Sequence, residues 1–214
     1  VVYNGASEGF QPADAETIIA VQKKYSAGKP YFLFVGGLHP RKNIVRLLEA
    51  FELFRKTNDS QTQLVIVGQR YWKGFDLTQT LQQMQFRDAV HFTGRVAQEE
   101  LYRIMAAAHA LTYVPYFEGF GIPIVEAMQC DVPVITSNIT SMPEIGGDAV
   151  FQVDPFEITS IAAGMQALDT DEKLRASFIQ KAKTQREKFS WDKSADLLWE
   201  SISRCTAHIS ESPC

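Results

Sequence analysis

Two glutamates, Glu118 and Glu126, flank the turn Gly119-Phe120-Gly121 in the stretch "YFEGFGIPIVEAM". An ionised carboxylate only accepts hydrogen bonds, and its two oxygens suit the paired hydroxyls of a vicinal diol. A helix beginning just after such a turn presents unpaired N–H groups and the positive end of its dipole, which together attract anions. A carboxylate at the same place would repel an anion. The pair therefore reads as a bracket, with phosphates along the glycine backbone and hydroxyls taken up by a glutamate on either side. Eight residues on a helix advance about 12 Å and return to roughly the same side. That reach suits the hexose, diphosphate and ribose of a nucleotide sugar. Taken alone, the two residues read as a capping carboxylate and a surface glutamate.

A second group lies in "GGLHPRKN", Gly36 to Asn43. Gly36 and Gly37 allow backbone to approach a ligand closely. Arg41 and Lys42 then stand at the start of a helix that Asn43 is placed to cap. Two cations beside exposed N–H groups make a diphosphate cradle. The pattern is neither the P-loop nor the GxGxxG of nicotinamide sites. An isolated Arg-Lys pair is equally a solvated helix start.

Other candidates have simpler readings. Asp169-Thr170-Asp171 spells a metal-binding D-x-D, but it lies between two helical patterns and Asp171 reads as a cap. The histidines His39, His91, His109 and His208 lack metal-ligand spacing, so no metal is expected. Tyr71-Trp72 reads as a packed loop pair, with a lid or partner contact as the alternative. His39 either touches a ligand in its loop or is solvated. Glu144, in "MPEIGG", is expected to position its own loop. Trp191 and Trp199 are expected to dock the last helix onto the domain body or onto a further domain.

The elements must carry these groups to one place. The chain has 214 residues and a net charge of −4, enough for one well-cored domain and without a basic stripe, so nucleic acid is not an expected partner. Cys130, Cys205 and Cys214 form no CxxC pair, which favours a reducing, cytoplasmic compartment. No apolar run approaches the ~20 residues of a membrane span. The opening "VVYNG" reads as the continuation of something longer. Residues 1–29 are a lead-in with a helix that Asp14 caps. "YFLFVGG" reads as a strand buried on both faces, as in a parallel sheet, and "QLVIVG", "AVHFTG", "ALTYVP", "PVITS" and "AVFQV" read as further strands. Helical patterns separate them, including "NIVRLLEAFELFRKT", "FDLTQTLQQMQ", "QEELYRIMAAA" and "GIPIVEAMQ". A turn is expected at "SMPEIGG", and helices at about 157–168, 171–188 and 192–204 close the chain. Alternating strands and helices imply a doubly wound parallel sheet, whose ligands bind at the carboxyl ends of the strands.

"EGFGIPIVEAM" resembles the E-x7-E motif of the retaining family-4 (group 1) glycosyltransferases, which have the GT-B fold. "FVGGLHPRKN", "LVIVG", "VHFTGRVAQEEL", "VPYFEGFGIPIVEAMQCDVPVITS", "MPEIGGDAV" and "VDP" follow in the family's order over roughly residues 31–200. The resemblance implies the Rossmann-like, donor-binding C-terminal half of such an enzyme. It implies a linker and lead-in helix at 1–29, a nucleotide-sugar-binding domain at 30–204 and a tail at 205–214. Glu118, Lys42 and Arg41 would be the catalytic group, Glu118 on the donor sugar and the cations on the diphosphate. Glu126 would hold the ribose, the backbone at Arg95 and Val96 would border the base, and Gly36, Gly37, Gly119, Phe120 and Gly121 would line the donor. Where many members have Gly-Arg, this chain has Gly36-Gly37, and Arg41 would take over that role. Expected partners are a nucleotide-diphosphate sugar, a sugar or glycan acceptor and an N-terminal domain, through which the protein would associate with the inner membrane face. No cofactor is expected. The alternatives are a non-catalytic nucleotide-sugar-binding module and a nucleotide-sugar epimerase of the same architecture, against which the E-x7-E motif weighs.

Overall fold

The continuous apolar run "YFLFV" becomes strand β1 (Tyr31–Val35), buried at every position. In the computed structural model, which describes residues 1–69 and 77–210 (the last four by backbone alone), five more strands join it. They are β2 (Gln63–Val67), β3 (Val90–Gly94), β4 (Ala110–Tyr113), β5 (Val134–Ser137) and β6 (Phe151–Val153). Every pairing is parallel, in the order β3-β2-β1-β4-β5-β6. This is the doubly wound, Rossmann-like sheet expected from the sequence. The order reverses between β1 and β4, and that junction is the topological switch point.

The helices are α1 (Ala15–Tyr25), α2 (Ile44–Thr57), α3 (Thr78–Gln83), α4 (Gln98–Ala106), α5 (Ile122–Gln129), α6 (Met142–Gly146), α7 (Ile158–Thr170), α8 (Glu172–Gln185) and α9 (Trp191–Ser210). α2 packs between α3 and α7, while α4 packs on α1 and α5, and α5 on α8. Right-handed crossovers on either side of the switch point place these two groups on opposite faces. The lead-in is part of this body: Phe10 and Val21 are buried in the core, and Phe10 meets Tyr102 edge-on at 4.6 Å.

Several local expectations hold. Asp14 caps α1 by accepting from the Thr17 N–H at 2.8 Å. Asp171 caps α8 through the Leu174 N–H at 2.9 Å, and Asp169 accepts from Thr62 Oγ1 at 2.6 Å, so both acids of the D-x-D have structural partners.

Others need correction. "SMPEIGG" is not a plain turn but holds α6, with Pro143 in its first turn, where a missing N–H costs nothing. Glu144 does not serve its own loop; its carboxylate accepts from the Tyr3 hydroxyl at 2.8 Å. α9 runs on to Ser210, because neither glycine nor proline interrupts it before Pro213. Trp199 stays 71% exposed, so it does not dock on this body. α3 is shorter than its pattern, whose start lies outside the described residues, as do Tyr71, Trp72, Cys214 and the side chain of His208.

Candidate active site

The switch point brings the two sequence motifs together. β1 leaves the sheet through Gly36, at φ 148°. A Cβ on Gly68, which follows β2, would lie 1.8 Å from the Gly36 carbonyl oxygen, so only glycine permits these strand ends to touch. The chain then makes a 3-10 turn, Pro40–Lys42, where His39 Nδ1 accepts from the Arg41 N–H at 3.2 Å. Asn43 follows in the left-handed region at φ 62°. Its side chain does not cap α2 as expected. The amide is committed elsewhere, donating to Val114 O at 3.0 Å and Pro155 O at 2.8 Å. Asn43 thereby ties the loops after β1, β4 and β6, and the Tyr116 N–H adds a 2.9 Å bond to Arg41 O.

The segment after β4 is held as firmly. Ser137 Oγ donates to Pro115 O at 2.7 Å, and Ser141 Oγ to Glu118 O at 2.8 Å and Phe120 O at 3.2 Å. Gly121 sits at φ 100°, and helix α5 begins only at Ile122. Glu118 is therefore outside the helix, and the 12 Å helical advance envisaged from the spacing does not describe the pair. Of the three turn residues, Phe120 anchors inward, its ring 6.2 Å from Tyr3 and 5.8 Å from Phe189. A Cβ on Gly119 would meet nothing within 4 Å, so the turn's open side is there.

Charge converges on Glu118. Its Oε2 accepts from Arg41 Nη1 at 2.8 Å, from the Tyr113 hydroxyl at 2.8 Å and from Lys42 Nζ. Burial would raise the Glu118 pKa, but the hydrogen bonds from Lys42 and Tyr113 and the charges of both cations outweigh it and hold the carboxyl below its ordinary range. Burial draws the Lys42 ammonium down, against the pull of Glu118. Glu126, on α5, is different. Among the described residues its carboxylate takes no hydrogen bond, and burial pushes its pKa up to about 7. Arg95 is exposed and Val96 half-buried just past the end of β3, at the same rim but beyond β2.

The structure thus brings Arg41, Lys42 and Glu118 into contact, with Gly36 beside the Lys42 side chain and Gly119 next in the chain to Glu118. Sequence reasoning missed Tyr113 and Tyr116. Tyr113 touches both Lys42 and Glu118, and Tyr116 accepts from Arg46 and stacks on Phe156 at 5.1 Å. The available signal was a tyrosine as the last residue of a buried strand, whose polar end must emerge at the rim.

Comparison with known proteins agrees with this architecture. The model of the glycosyl transferases group 1 family matches residues 16–185, and the chain belongs to that family. It is 34% identical over 187 residues to the O-antigen chain mannosyltransferase B of Escherichia coli, covering 87% of this chain and 49% of that protein. Among solved structures, HepE of Anabaena in complex with UDP-glucose superposes with a TM-score of 0.85 at 21% identity, covering 95% of this chain and 57% of that one. The C-terminal domain of the group 1 glycosyl transferase LpcC from Francisella tularensis superposes with a TM-score of 0.71 at 23% identity, over 84% of this chain and 95% of that domain. The chain spans about half the length of the mannosyltransferase it matches.

Proposed function

We propose that this chain is the donor-binding half of a retaining family-4 glycosyltransferase that transfers mannose from a nucleotide diphosphate to a glycan acceptor. The carrying observation is the convergence of Arg41, Lys42 and Glu118 at the switch point, on loops from β1 and β4. Mannose as the sugar rests on the mannosyltransferase relative. In this reading Lys42 and Arg41 leave Glu118 for the diphosphate, neutralising charge as the leaving group departs, and the open N–H groups beside Gly119 and Gly121 support it. Glu118 then accepts from the sugar hydroxyls and Glu126 from the ribose diol. The base lies toward Arg95 and Val96. The acceptor and the opposing wall of the cleft belong to an N-terminal half, through which the enzyme would sit at the cytoplasmic face of a membrane. Among the described residues, no helix is long and apolar enough to cross one.

The two glutamates separate this reading from a general anion site. Glu126→Ala should weaken nucleoside diphosphate and nucleotide sugar alike, because both carry the ribose. Glu118→Ala should weaken the sugar-bearing ligand selectively. Each lost charge-assisted contact should cost roughly 1.5–3 kcal/mol, measured by calorimetry with both ligands. Selective loss of the sugar ligand in both variants, or in neither, would refute the assignment.

A further inference from the structure

Tyr113 stands under the cluster and has no part in the function proposed above. It is the last residue of β4, 1% exposed, with its ring stacked on Phe34 at 6.1 Å and 26°. Its carbonyl is tied as well, accepting from Thr136 Oγ1 at 2.7 Å. Backbone and ring are therefore fixed by the sheet, and only the hydroxyl reaches the rim. That hydroxyl donates to Glu118 Oε2 at 2.8 Å and accepts from Lys42 Nζ, while the ammonium also lies 4.8 Å from the ring centroid.

All three donors to the Glu118 carboxylate among the described residues use the same oxygen, Oε2. Two of them, Arg41 and Lys42, are the cations assigned to the diphosphate. A diphosphate carries more charge than one carboxylate and competes for both. Once they turn to it, Glu118 is a largely buried carboxylate, 17% exposed at its side chain, that has lost two of its three partners. Such a group must keep a donor, take up a proton or swing toward water. The donor that stays is the phenol, because the sheet holds it and it carries no charge for the phosphates to attract.

We infer that Tyr113 is a positioning residue: its hydroxyl keeps Glu118 ionised and aimed at the donor sugar after Lys42 and Arg41 have moved to the diphosphate. This rests on the proposed donor site. A tyrosine suits the task because the ring is anchored in the core, and both burial and the neighbouring Glu118 charge raise its pKa, so it remains a neutral donor over the working range.

Tyr113→Phe in the 214-residue chain tests this. The ring and its stacking survive, and a melting curve checks the fold. Affinities are measured by calorimetry for GDP and GDP-mannose, and for UDP and UDP-glucose, using whichever pair binds. The Phe variant should bind the plain diphosphate within about twofold of the parent and lose about tenfold or more for the sugar ligand, as expected for one hydrogen bond to a charged group. The acid limb of the sugar ligand's affinity should also move to higher pH, since Glu118 is easier to protonate without the phenol. On a Glu118→Gln background the same change should leave the ratio of the two affinities unaltered. An unchanged ratio in the single variant, equal loss of both ligands, or a changed ratio on the Gln background would each overturn the inference. Lys42→Ala is the control for the underlying site. If it leaves diphosphate affinity intact, or if no pair binds, the donor-site reading falls and this inference falls with it. If Lys42→Ala behaves as expected and Tyr113→Phe does not, only the role of Tyr113 is lost.

Discussion

At the scale of single residues, the two glutamates of the motif differ in environment more than in type. Glu118 is surrounded by donors and held ionised; Glu126 is half-buried, takes no hydrogen bond among the described residues, and burial raises its pKa to about 7. The raised value has a definite sign for stability. The folded state favours protonated Glu126, so its contribution is fully present below the ordinary carboxylate pKa and is lost as pH rises through about 7. Glu126→Gln should therefore gain stability relative to the parent between pH 5 and 8, by about 2 kcal/mol or roughly 5 °C in melting temperature. Melting both proteins across that range checks it; a constant offset would show that Glu126 is solvated. The same protonation couples to the proposed ribose contact. A diol donates to the carboxylate, so binding should release a proton and tighten as pH rises through 7. Calorimetry of nucleoside diphosphate in buffers of different ionisation enthalpy should detect that proton in the parent and not in the Gln variant.

At the scale of elements, the site is a lacing of loops rather than a pocket cut into one of them. Asn43 is the main knot, joining the ends of β4 and β6 from the start of α2. Asn43→Ala removes both bonds and places an alanine at φ 62°, so it should cost roughly 3 kcal/mol or more. Asn43→Gly removes the bonds but tolerates the backbone, and should recover about 1 kcal/mol of that. Thermal melts of the pair separate the two causes; equal stability would mean that the backbone strain is absent. Much at this scale was legible beforehand. The fully buried β1 reads as an unbroken apolar run, and Asp14 and Asp171 declare helix starts by residue type. α6 was not legible, because a single helical turn between Pro143 and Gly147 carries the same signals as a loop. Asn43 was misread because its position in the chain matches a cap, while its real partners come from β4 and β6.

At the scale of the whole molecule, all strand ends that carry the motifs share one rim, and this followed from the alternation of patterns. The cluster itself did not follow. Lys42 and Glu118 are 76 residues apart and meet only because β4 lies against β1. Tyr113 was hidden for a related reason: hydrophobic patterning counts a tyrosine in a buried strand as core and says nothing of where its hydroxyl ends. In the proposed reading the rim is one wall of a cleft. The chain should therefore bind a nucleoside diphosphate weakly and transfer no sugar, since orienting donor against acceptor can be worth about 7–11 kcal/mol of barrier. Robust transfer to a glycan by these 214 residues alone would contradict the half-enzyme reading.

The central place of β1 also governs how the chain comes together during synthesis. β1 pairs with β2 on one side and with β4 on the other. On a ribosome, the β2 side can close early, but the other edge waits until Ala110 to Tyr113 have emerged. Through that interval five buried apolar residues border an open row of N–H and C=O groups, the arrangement that recruits strands from other chains. A fragment ending at residue 107 should therefore self-associate, whereas one extended through β5 to residue 140 should scatter far less light at the same concentration. A monomeric short fragment would show that this edge is shielded by something else. The seam that assembles the cluster is thus also the step at which a nascent chain is most exposed to its neighbours.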